Sequence, residues 1–157
     1  MRGLGHVAIR VKNFQRSLQW YIDMLGLEEA FRLYRDDGTL MAIYLYINGD
    51  NFIELFEKPD GGEVVVPELG LVHVCLHVEN LKQTLDELAA RGLKPTGEPR
   101  RGRAGALQCW ITDPDGNRIE LMEMLPDSQQ ALFLKKEEGR RRPGSFVDGR
   151  PRPHGDI

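Results

Sequence analysis

Two histidines and two glutamates of this chain occupy repeated positions, and their chemistry suits a metal site. His6 and His73 each begin a His-Val-x-Ile/Leu stretch, and Glu54 and Glu120 each lie within Ile-Glu-Leu. A single histidine or glutamate in a strand is usually structural, but four placements that mirror one another favour ligation. Two imidazoles and two carboxylates suit a divalent ion, with Zn or Ni expected first and Co, Mn or Fe as alternatives. In an octahedral set, two positions would remain for water or substrate oxygens.

The repeat extends beyond these four residues. Residues 6–13 align with residues 73–80 at an offset of 67, and residues 51–55 align with residues 117–121 at an offset of 66. One residue has therefore been gained or lost between the two matches. The sequence predicts one domain, residues 1–125, made of two modules at residues 1–60 and 68–125.

Each module has the same predicted order of elements, βαβββ. It opens with a strand in which apolar and polar residues alternate, and His6 and His73 lie opposite the apolar side. An amphipathic helix follows, with Asn13 and Asn80 at the N-cap positions. The predicted helices lie near residues 13–25 and 80–91, and the later strands near 28–35, 40–48, 51–57, 94–100, 106–112 and 117–124.

The fourth strand of each module places its glutamate on the polar side. Glu54 and Glu120 are each flanked by Ile and Leu, so alternation turns the carboxylate away from the helix-packed face. Polar side chains on a covered sheet face usually line a cleft, because burying them without partners is costly. We therefore predict an α+β fold in which two βαβββ modules form a curved, mixed eight-stranded sheet around a metal-containing cavity.

The charge distribution argues against nucleic acid as a partner. Net charge is −3; residues 1–138 contain 16 Lys/Arg and 22 Asp/Glu, or −6, and residues 139–157 contain five Arg and two Asp, or +3. The net negative charge of residues 1–138 disfavours binding to nucleic acid, which is a polyanion. No apolar run approaches the roughly 20 residues that span a bilayer, and no signal-peptide pattern opens the chain. We expect a cytoplasmic domain without a membrane partner.

The C-terminal segment differs in composition from the modules. Residues 126–138 are expected to form a short helix, capped by Asp127 or Ser128, in which Leu132 and Leu134 pack. Residues 139–157 are rich in Pro, Gly and Arg and lack periodicity, which predicts a flexible basic tail.

These motifs resemble those of the vicinal oxygen chelate superfamily, which includes glyoxalase I, bleomycin-resistance proteins and extradiol dioxygenases. The resemblance spans about residues 3–124. It is carried by Gly5-His-Val-Ala-Ile9, residues 16–27, Ile53-Glu-Leu55, Leu71-Val-His-Val74 and Asp113-Pro-Asp-Gly-Asn-Arg-Ile-Glu-Leu121. The His/Glu/His/Glu set is most similar to that of glyoxalase I, in which all four positions bind the metal.

The resemblance implies a divalent-metal-dependent lyase or isomerase. Such an enzyme abstracts a proton next to a carbonyl of a small 2-oxoaldehyde adduct or related carbon acid, and the metal stabilises the resulting enediolate. Glu120 is then the expected base and Glu54 its partner or alternate. The resemblance also implies a homodimer. It leaves open whether His6 and Glu54 share a metal with His73 and Glu120 of the same chain or of a second one.

Other activities of the same fold remain open at this stage. A non-haem Fe(II) extradiol-type dioxygenase would need two histidines and one glutamate, and an acyl-CoA epimerase usually has an amide where Glu54 stands. A sequestering protein of the bleomycin-resistance kind would have no need for four ligands. Glu54 is followed by Leu-Phe-Glu-Lys58; bacterial glyoxalase I typically has Thr-Tyr-Asn there, which helps to hold glutathione. This difference argues against glutathione as co-substrate.

Several residues are candidates for contacting a small-molecule substrate. Arg10 matches an arginine near the thiol-peptide site of glyoxalase I, and it would hold a carboxylate or neutralise the ligand glutamates. His77 occupies the equivalent place in the second module and is expected to line the cavity. Apolar contacts are expected from Phe52, Phe56, Met122 and Trp110, with Tyr44 as a further option. Arg100, Arg101 and Arg103 form either a solvated loop or a region that recruits an anionic substrate.

Overall fold

The computed structural model describes residues 3–62 and 70–138. In chain order the elements are β1 His6–Val11, α1 Phe14–Leu25, β2 Glu28–Tyr34, β3 Leu40–Asn48, β4 Asn51–Glu57, β5 Val74–Val78, α2 Leu81–Ala90, β6 Arg100–Arg101, β7 Leu107–Thr112, β8 Arg118–Glu123 and α3 Gln129–Glu138. The predicted tail, residues 139–157, lies outside the described residues. None of the helices in the described ranges is long and apolar enough to cross a membrane.

The strands form two four-stranded sheets of identical topology. Their orders are β1-β4-β3-β2 and β5-β8-β7-β6. The first strand of each module runs parallel to the fourth, and the remaining pairs are antiparallel. This confirms the α+β fold of two βαβββ modules. The eight expected strands are divided between two four-stranded sheets, because β1 and β5 each pair with only one strand among the described residues.

Both module helices begin at an asparagine cap, as the sequence predicts. The Asn13 side chain accepts a hydrogen bond from the Arg16 backbone N–H at 2.8 Å, and Asn80 accepts one from Gln83 at 2.8 Å. These bonds satisfy N–H groups that have no partner within the helix. Helix α1 ends at Gly26, whose φ of 69° lies in the left-handed region that glycine adopts at low cost.

A carboxylate from the fourth strand fixes each helix against its sheet. Glu57 accepts a hydrogen bond from the Phe14 backbone N–H at 2.8 Å, and Glu123 accepts the equivalent bond from Leu81 at 2.7 Å. A negative charge at this end of a helix also complements the helix dipole. Each bond sets the position of the helix relative to the strand that carries the candidate ligand glutamate.

The core determines which side of each sheet faces outward. Apolar residues of β4 and β8 are at most 2% exposed where they meet the helices: Ile53, Leu55, Ile119 and Leu121. Side chains alternate along a strand, so the residue between each of these pairs lies on the opposite face. Packing of the core therefore places Glu54 and Glu120 on the outer faces, as predicted.

A polar contact between the modules centres on Asp115, in the turn between β7 and β8. Its side chain is 3% exposed and pairs with the Arg16 guanidinium of α1. It also accepts hydrogen bonds from the Lys12 backbone N–H at 2.9 Å and from the Ser17 hydroxyl at 3.4 Å. One buried carboxylate thus holds the start of α1 against the other module.

Asp113 supports the same contact from within the turn. Its carboxylate accepts hydrogen bonds from the Tyr21 hydroxyl at 3.2 Å and from the Asn117 side chain at 2.7 Å. Burial of Tyr21, followed by the charge of Asp113, raises the pKa of the phenol, which keeps it protonated as a donor. We call these five side chains, Asp113, Asp115, Asn117, Arg16 and Tyr21, the inter-module clasp.

Two sequence predictions in the second half of the chain were wrong in detail. The strand expected at residues 94–100 is reduced to Arg100–Arg101, because Pro95 and Pro99 lack the N–H that a strand needs. Helix α3 is present, but Leu132 and Leu134 do not pack; they are 47% and 50% exposed. The helix is held instead through its first turn, where the Gln129 N–H donates to the Ala104 carbonyl at 2.8 Å.

Removing the clasp carboxylate should destabilise the chain. Asp115→Ala leaves the buried Lys12 N–H without its partner and Arg16 without its counter-charge. We expect a loss of about 2–3 kcal/mol in the free energy of unfolding, measured by urea denaturation. Tyr21→Phe, which removes one donor to Asp113, should cost about 1 kcal/mol.

The matched control is Lys82→Ala, which breaks an ion pair with Asp86 on the exposed side of α2. Such pairs contribute little, so its unfolding midpoint should equal that of the wild type. Equal midpoints for Asp115→Ala and Lys82→Ala would show that the clasp does not hold the modules together.

Candidate functional site

The first candidate ligand pair lies in the N-terminal module. His6 Nε2 is 3.4 Å from Glu54 Oε2, and the Glu54 side chain is 8% exposed. Tyr44 lies directly opposite Glu54 on β3, and its ring meets the His6 ring edge-on with centroids 5.5 Å apart. Desolvation and the neighbouring Glu54 carboxylate raise the pKa of the Tyr44 phenol. We call His6 and Glu54 the N half-site.

Aromatic residues surround the N half-site. Phe31 stacks on Tyr44 with centroids 4.4 Å apart, and Phe52 lies 6.3 Å from Tyr44 and 5.6 Å from Tyr46. Phe31 and Tyr46 are 46% and 37% exposed, so the group is open at the surface. This aromatic wall, Phe31, Tyr44, Tyr46 and Phe52, makes the outer face of the first sheet largely apolar beside the candidate ligands.

The second candidate pair has the same construction in the C-terminal module. His73 Nε2 is 2.9 Å from Glu120 Oε2. Trp110 lies opposite Glu120 on β7 and meets the His73 ring edge-on, with centroids 4.9 Å apart. His73 Nδ1 is buried and has no hydrogen-bond partner within residues 3–62 and 70–138. We call His73 and Glu120 the C half-site.

The aromatic partners of the two half-sites occupy equivalent positions. Tyr44 faces Glu54 as Trp110 faces Glu120, and the two aromatic residues are 66 positions apart, the offset of the later part of the repeat. The repeat thus encodes a three-residue unit of histidine, glutamate and aromatic ring. This offset is the sequence signal that places both aromatic residues on the same face as the glutamates.

The two half-sites do not meet within one chain. No three His, Cys, Asp or Glu side chains of the described residues come together as a metal site requires. Each pair belongs to its own sheet, and the sheets are not joined. Within one chain the described residues therefore bring His6 to Glu54 and His73 to Glu120, but do not bring the two pairs together.

A cleft of about 380 Å³ lies between the modules, lined by residues of both. Its walls include Val7 and Phe52 from the first module and Leu76 and His77 from the second. Two of the residues proposed from the sequence to contact substrate, Phe52 and His77, thus line a common cleft.

The other proposed substrate residues are dispersed. Arg10 lines a separate pocket of about 180 Å³ together with Lys12 and Lys58. Phe56 is paired with Arg10 across β1 and β4. Met122 is paired with His77, and its sulfur accepts a weak hydrogen bond from Gln130 of α3 at 3.6 Å.

Cys75, an exposed residue of β5, lies beside the C half-site. It is paired with Glu120 across β5 and β8. Partial burial, followed by the negative charge of Glu120, raises the pKa of the Cys75 thiol to about 11. The thiol therefore stays protonated near pH 7, and the thiolate is the reactive form.

Two residues of these faces were missed by sequence reasoning. Arg118 lies two positions before Glu120, so strand alternation already placed it on the ligand face; its Cζ is 4.4 Å from the centroid of the Trp110 ring. Phe31 was harder to place, because the register between β2 and β3 shifts between Glu29 and Phe31. A bulge of this kind reverses the alternation on which such inferences depend.

Comparison with known proteins agrees with the fold. A family model described as the Glyoxalase/Bleomycin resistance protein/Dioxygenase superfamily matches residues 3–121. The chain is 29% identical to the uncharacterized protein YwkD of Bacillus subtilis (78% of this chain, 98% of the relative). It is 28% identical to a probable lactoylglutathione lyase of Synechocystis (76% and 94%). A glyoxalase family protein from Enterococcus faecalis has a similar structure, with a TM-score of 0.65 at 26% identity (76% and 95%). The chain belongs to the glyoxalase/bleomycin resistance/dioxygenase superfamily.

Proposed function

We propose that this protein is a divalent-metal-dependent lyase or isomerase of the glyoxalase I type. It acts on a small carbon acid and removes the proton next to the carbonyl group. The observation that carries the proposal is the pair of equivalent half-sites, each with an imidazole nitrogen and a carboxylate oxygen within 3.4 Å. The resemblance of the motifs to glyoxalase I and the 28% identity to a probable lactoylglutathione lyase support the same class.

The residues present fit a divalent ion. Ligand nitrogens and oxygens lie about 2.1 Å from such an ion, so two ligands at right angles are about 3 Å apart. The Nε2–Oε2 distances of 3.4 Å and 2.9 Å have this spacing. His6, Glu54, His73 and Glu120 would hold the ion, with Zn or Ni expected first and Co, Mn or Fe as alternatives.

A second copy of the chain would unite the two half-sites. Among the described strands, β1 and β5 are edge strands of their sheets, and Val7 of β1 and Val74–Val78 of β5 line the cleft of about 380 Å³. In a two-fold dimer the N half-site of one copy meets the C half-site of the other, and symmetry repeats the arrangement. The proposal is therefore a homodimer with two shared metal sites.

The chain's own residues account for the proton transfer. A bound divalent ion would supply stabilisation of the negative charge that develops on a substrate oxygen. Glu120 is the proposed base: it removes the proton next to the carbonyl and returns it to the neighbouring carbon. Glu54, held beside His6 and Tyr44, is its partner on the opposite side of the site.

The remaining residues would bind the substrate. Phe52 and His77 line the inter-module cleft, and Trp110 packs against His73. Arg10, Phe56 and Met122 lie further along the strands that carry the half-sites. The segment that follows Glu54, Leu-Phe-Glu-Lys58, differs from the glutathione-holding segment of bacterial glyoxalase I, so we propose a substrate other than a glutathione adduct.

Subunit mixing tests whether each metal site is shared. We expect His6→Asn/Glu54→Gln and His73→Asn/Glu120→Gln to lose high-affinity Zn binding when assayed alone, by calorimetric titration. After the two are mixed in equal amounts and allowed to exchange, half of the dimers are mixed and each carries one intact site. About a quarter of the wild-type number of tight sites should therefore return.

Two controls make this result specific. Each double variant mixed with itself under the same exchange conditions should regain nothing. Lys82→Ala, which alters only the exposed side of α2, should bind Zn as the wild type does. If each variant alone keeps its affinity, or if mixing restores no sites, the shared-site proposal is wrong.

Proton exchange tests the proposed reaction. Metal-loaded protein should catalyse incorporation of deuterium from D₂O next to the carbonyl of small 2-oxo compounds, followed by NMR, and Glu120→Gln should lower the rate at least 100-fold. Asp86→Asn, far from both half-sites on the surface of α2, serves as the control. Purified protein that holds iron and consumes O₂ would instead indicate a dioxygenase, and protein that binds no divalent ion would indicate a sequestering function.

A further inference from the structure

A cavity of about 460 Å³ adjoins the C half-site and contains two arginines. It is lined by Thr96, Gly97, Glu98, Arg100, Trp110 and Arg118. Strand pairing places Arg100 opposite Gln108 and Arg118 opposite Thr112, so the two arginines flank Trp110 on neighbouring strands. The cavity lies on the same face of the sheet as Glu120.

Trp110 connects this cavity to the candidate metal ligands. The face of its ring carries the Arg118 guanidinium, with Cζ 4.4 Å from the ring centroid. The edge of the same ring meets His73 at a centroid distance of 4.9 Å. A molecule bound at His73 and Glu120 that extends across Trp110 therefore reaches the Arg118 guanidinium.

Both guanidinium groups retain their capacity to bind an anion. Neither Arg100 nor Arg118 makes an ion pair or a side-chain hydrogen bond with any of the described residues. Glu98 lines the same cavity but stays beyond ion-pair distance of both. A guanidinium placed over an aromatic ring still has N–H groups with which to donate hydrogen bonds to an anion.

The neighbouring arginines behave differently, which singles out this pair. Arg101 is occupied: it contacts Asp127 at 2.5 Å and donates to the Gly105 carbonyl at 3.0 Å. Arg103 lies on the exposed turn that follows β6 and does not line the cavity. Of the three loop arginines considered from the sequence, only Arg100 faces the candidate site.

We propose that Arg118 and Arg100, with Trp110 as the base of the pocket, form a subsite for a carboxylate or phosphoryl group. Planar guanidinium groups bind both kinds of oxyanion through paired hydrogen bonds. Given the proposed function, on which this step rests, the substrate is an anionic carbon acid whose charged end lies in this pocket while its carbonyl end lies at His73 and Glu120.

Anion titration of metal-free protein tests the subsite separately from the proposed activity. In the Trp20→Phe background Trp110 is the only tryptophan, so its fluorescence reports on the pocket. Inorganic phosphate and malonate, titrated at constant ionic strength into protein stripped of metal and then freed of chelator, should each give a saturable change, and acetamide should give none. The anion that binds more tightly indicates whether the pocket prefers a phosphoryl group or a carboxylate.

Charge-removing variants assign the effect to the pocket. Arg118→Gln should weaken anion binding about tenfold and Arg100→Gln several-fold, because charge-assisted hydrogen bonds are lost. Arg103→Gln is the matched control and should change the affinity less than twofold. Calorimetric titration of the chain with both tryptophans gives the same comparison if Trp20→Phe lowers stability.

The outcomes separate the two proposals. Absence of a saturable response, or equal weakening by Arg103→Gln and Arg118→Gln, would overturn the subsite, since the latter indicates general attraction by surface charge. Because the titration uses metal-free protein, a failure of metal binding would leave this result unaffected. Conversely, protein that binds the metal but no anion would remain consistent with the proposed function and would contradict only the proposal of an anionic substrate.

Discussion

The position of the two modules depends on the carboxylates of one turn. Asp115 and Asp113 are 3% and 5% exposed. Their carboxylates accept hydrogen bonds from groups at the start and in the middle of α1. Buried carboxylates are costly without partners, so these contacts strongly favour one arrangement of the modules. That arrangement joins the modules through α1 and leaves β1 and β5 with unpaired edges. The separation of the N half-site from the C half-site follows from it.

Local signals made much of this structure predictable. The caps at Asn13 and Asn80 and the outward placement of Glu54 and Glu120 depend on short sequence stretches and on strand alternation. The clasp could not be predicted in this way, because its partners lie up to 99 positions apart in the chain. The same holds for the division into two sheets, which is set by the packing of the modules and not by any pattern within a strand.

The two outer faces differ in chemistry although their ligand pairs are equivalent. The N half-site is surrounded by the aromatic wall, Phe31, Tyr44, Tyr46 and Phe52. The C half-site adjoins Trp110 and a guanidinium group. The repeat thus supplies the histidine–glutamate pair twice, while residues that differ between the modules supply the contrast between an apolar side and a cationic side. In a shared site such a contrast would orient a substrate with one apolar end and one charged end.

We propose that one chain carries two incomplete sites and that a second copy completes them. Native mass spectrometry of the chain with and without Zn tests it most directly. A metal ion bound by ligands of both copies stabilises their association by mass action. We predict dimers that hold two ions each, and dissociation to monomers at low concentration when Zn is removed. A monomer that binds one Zn ion as tightly as the dimer would contradict the account.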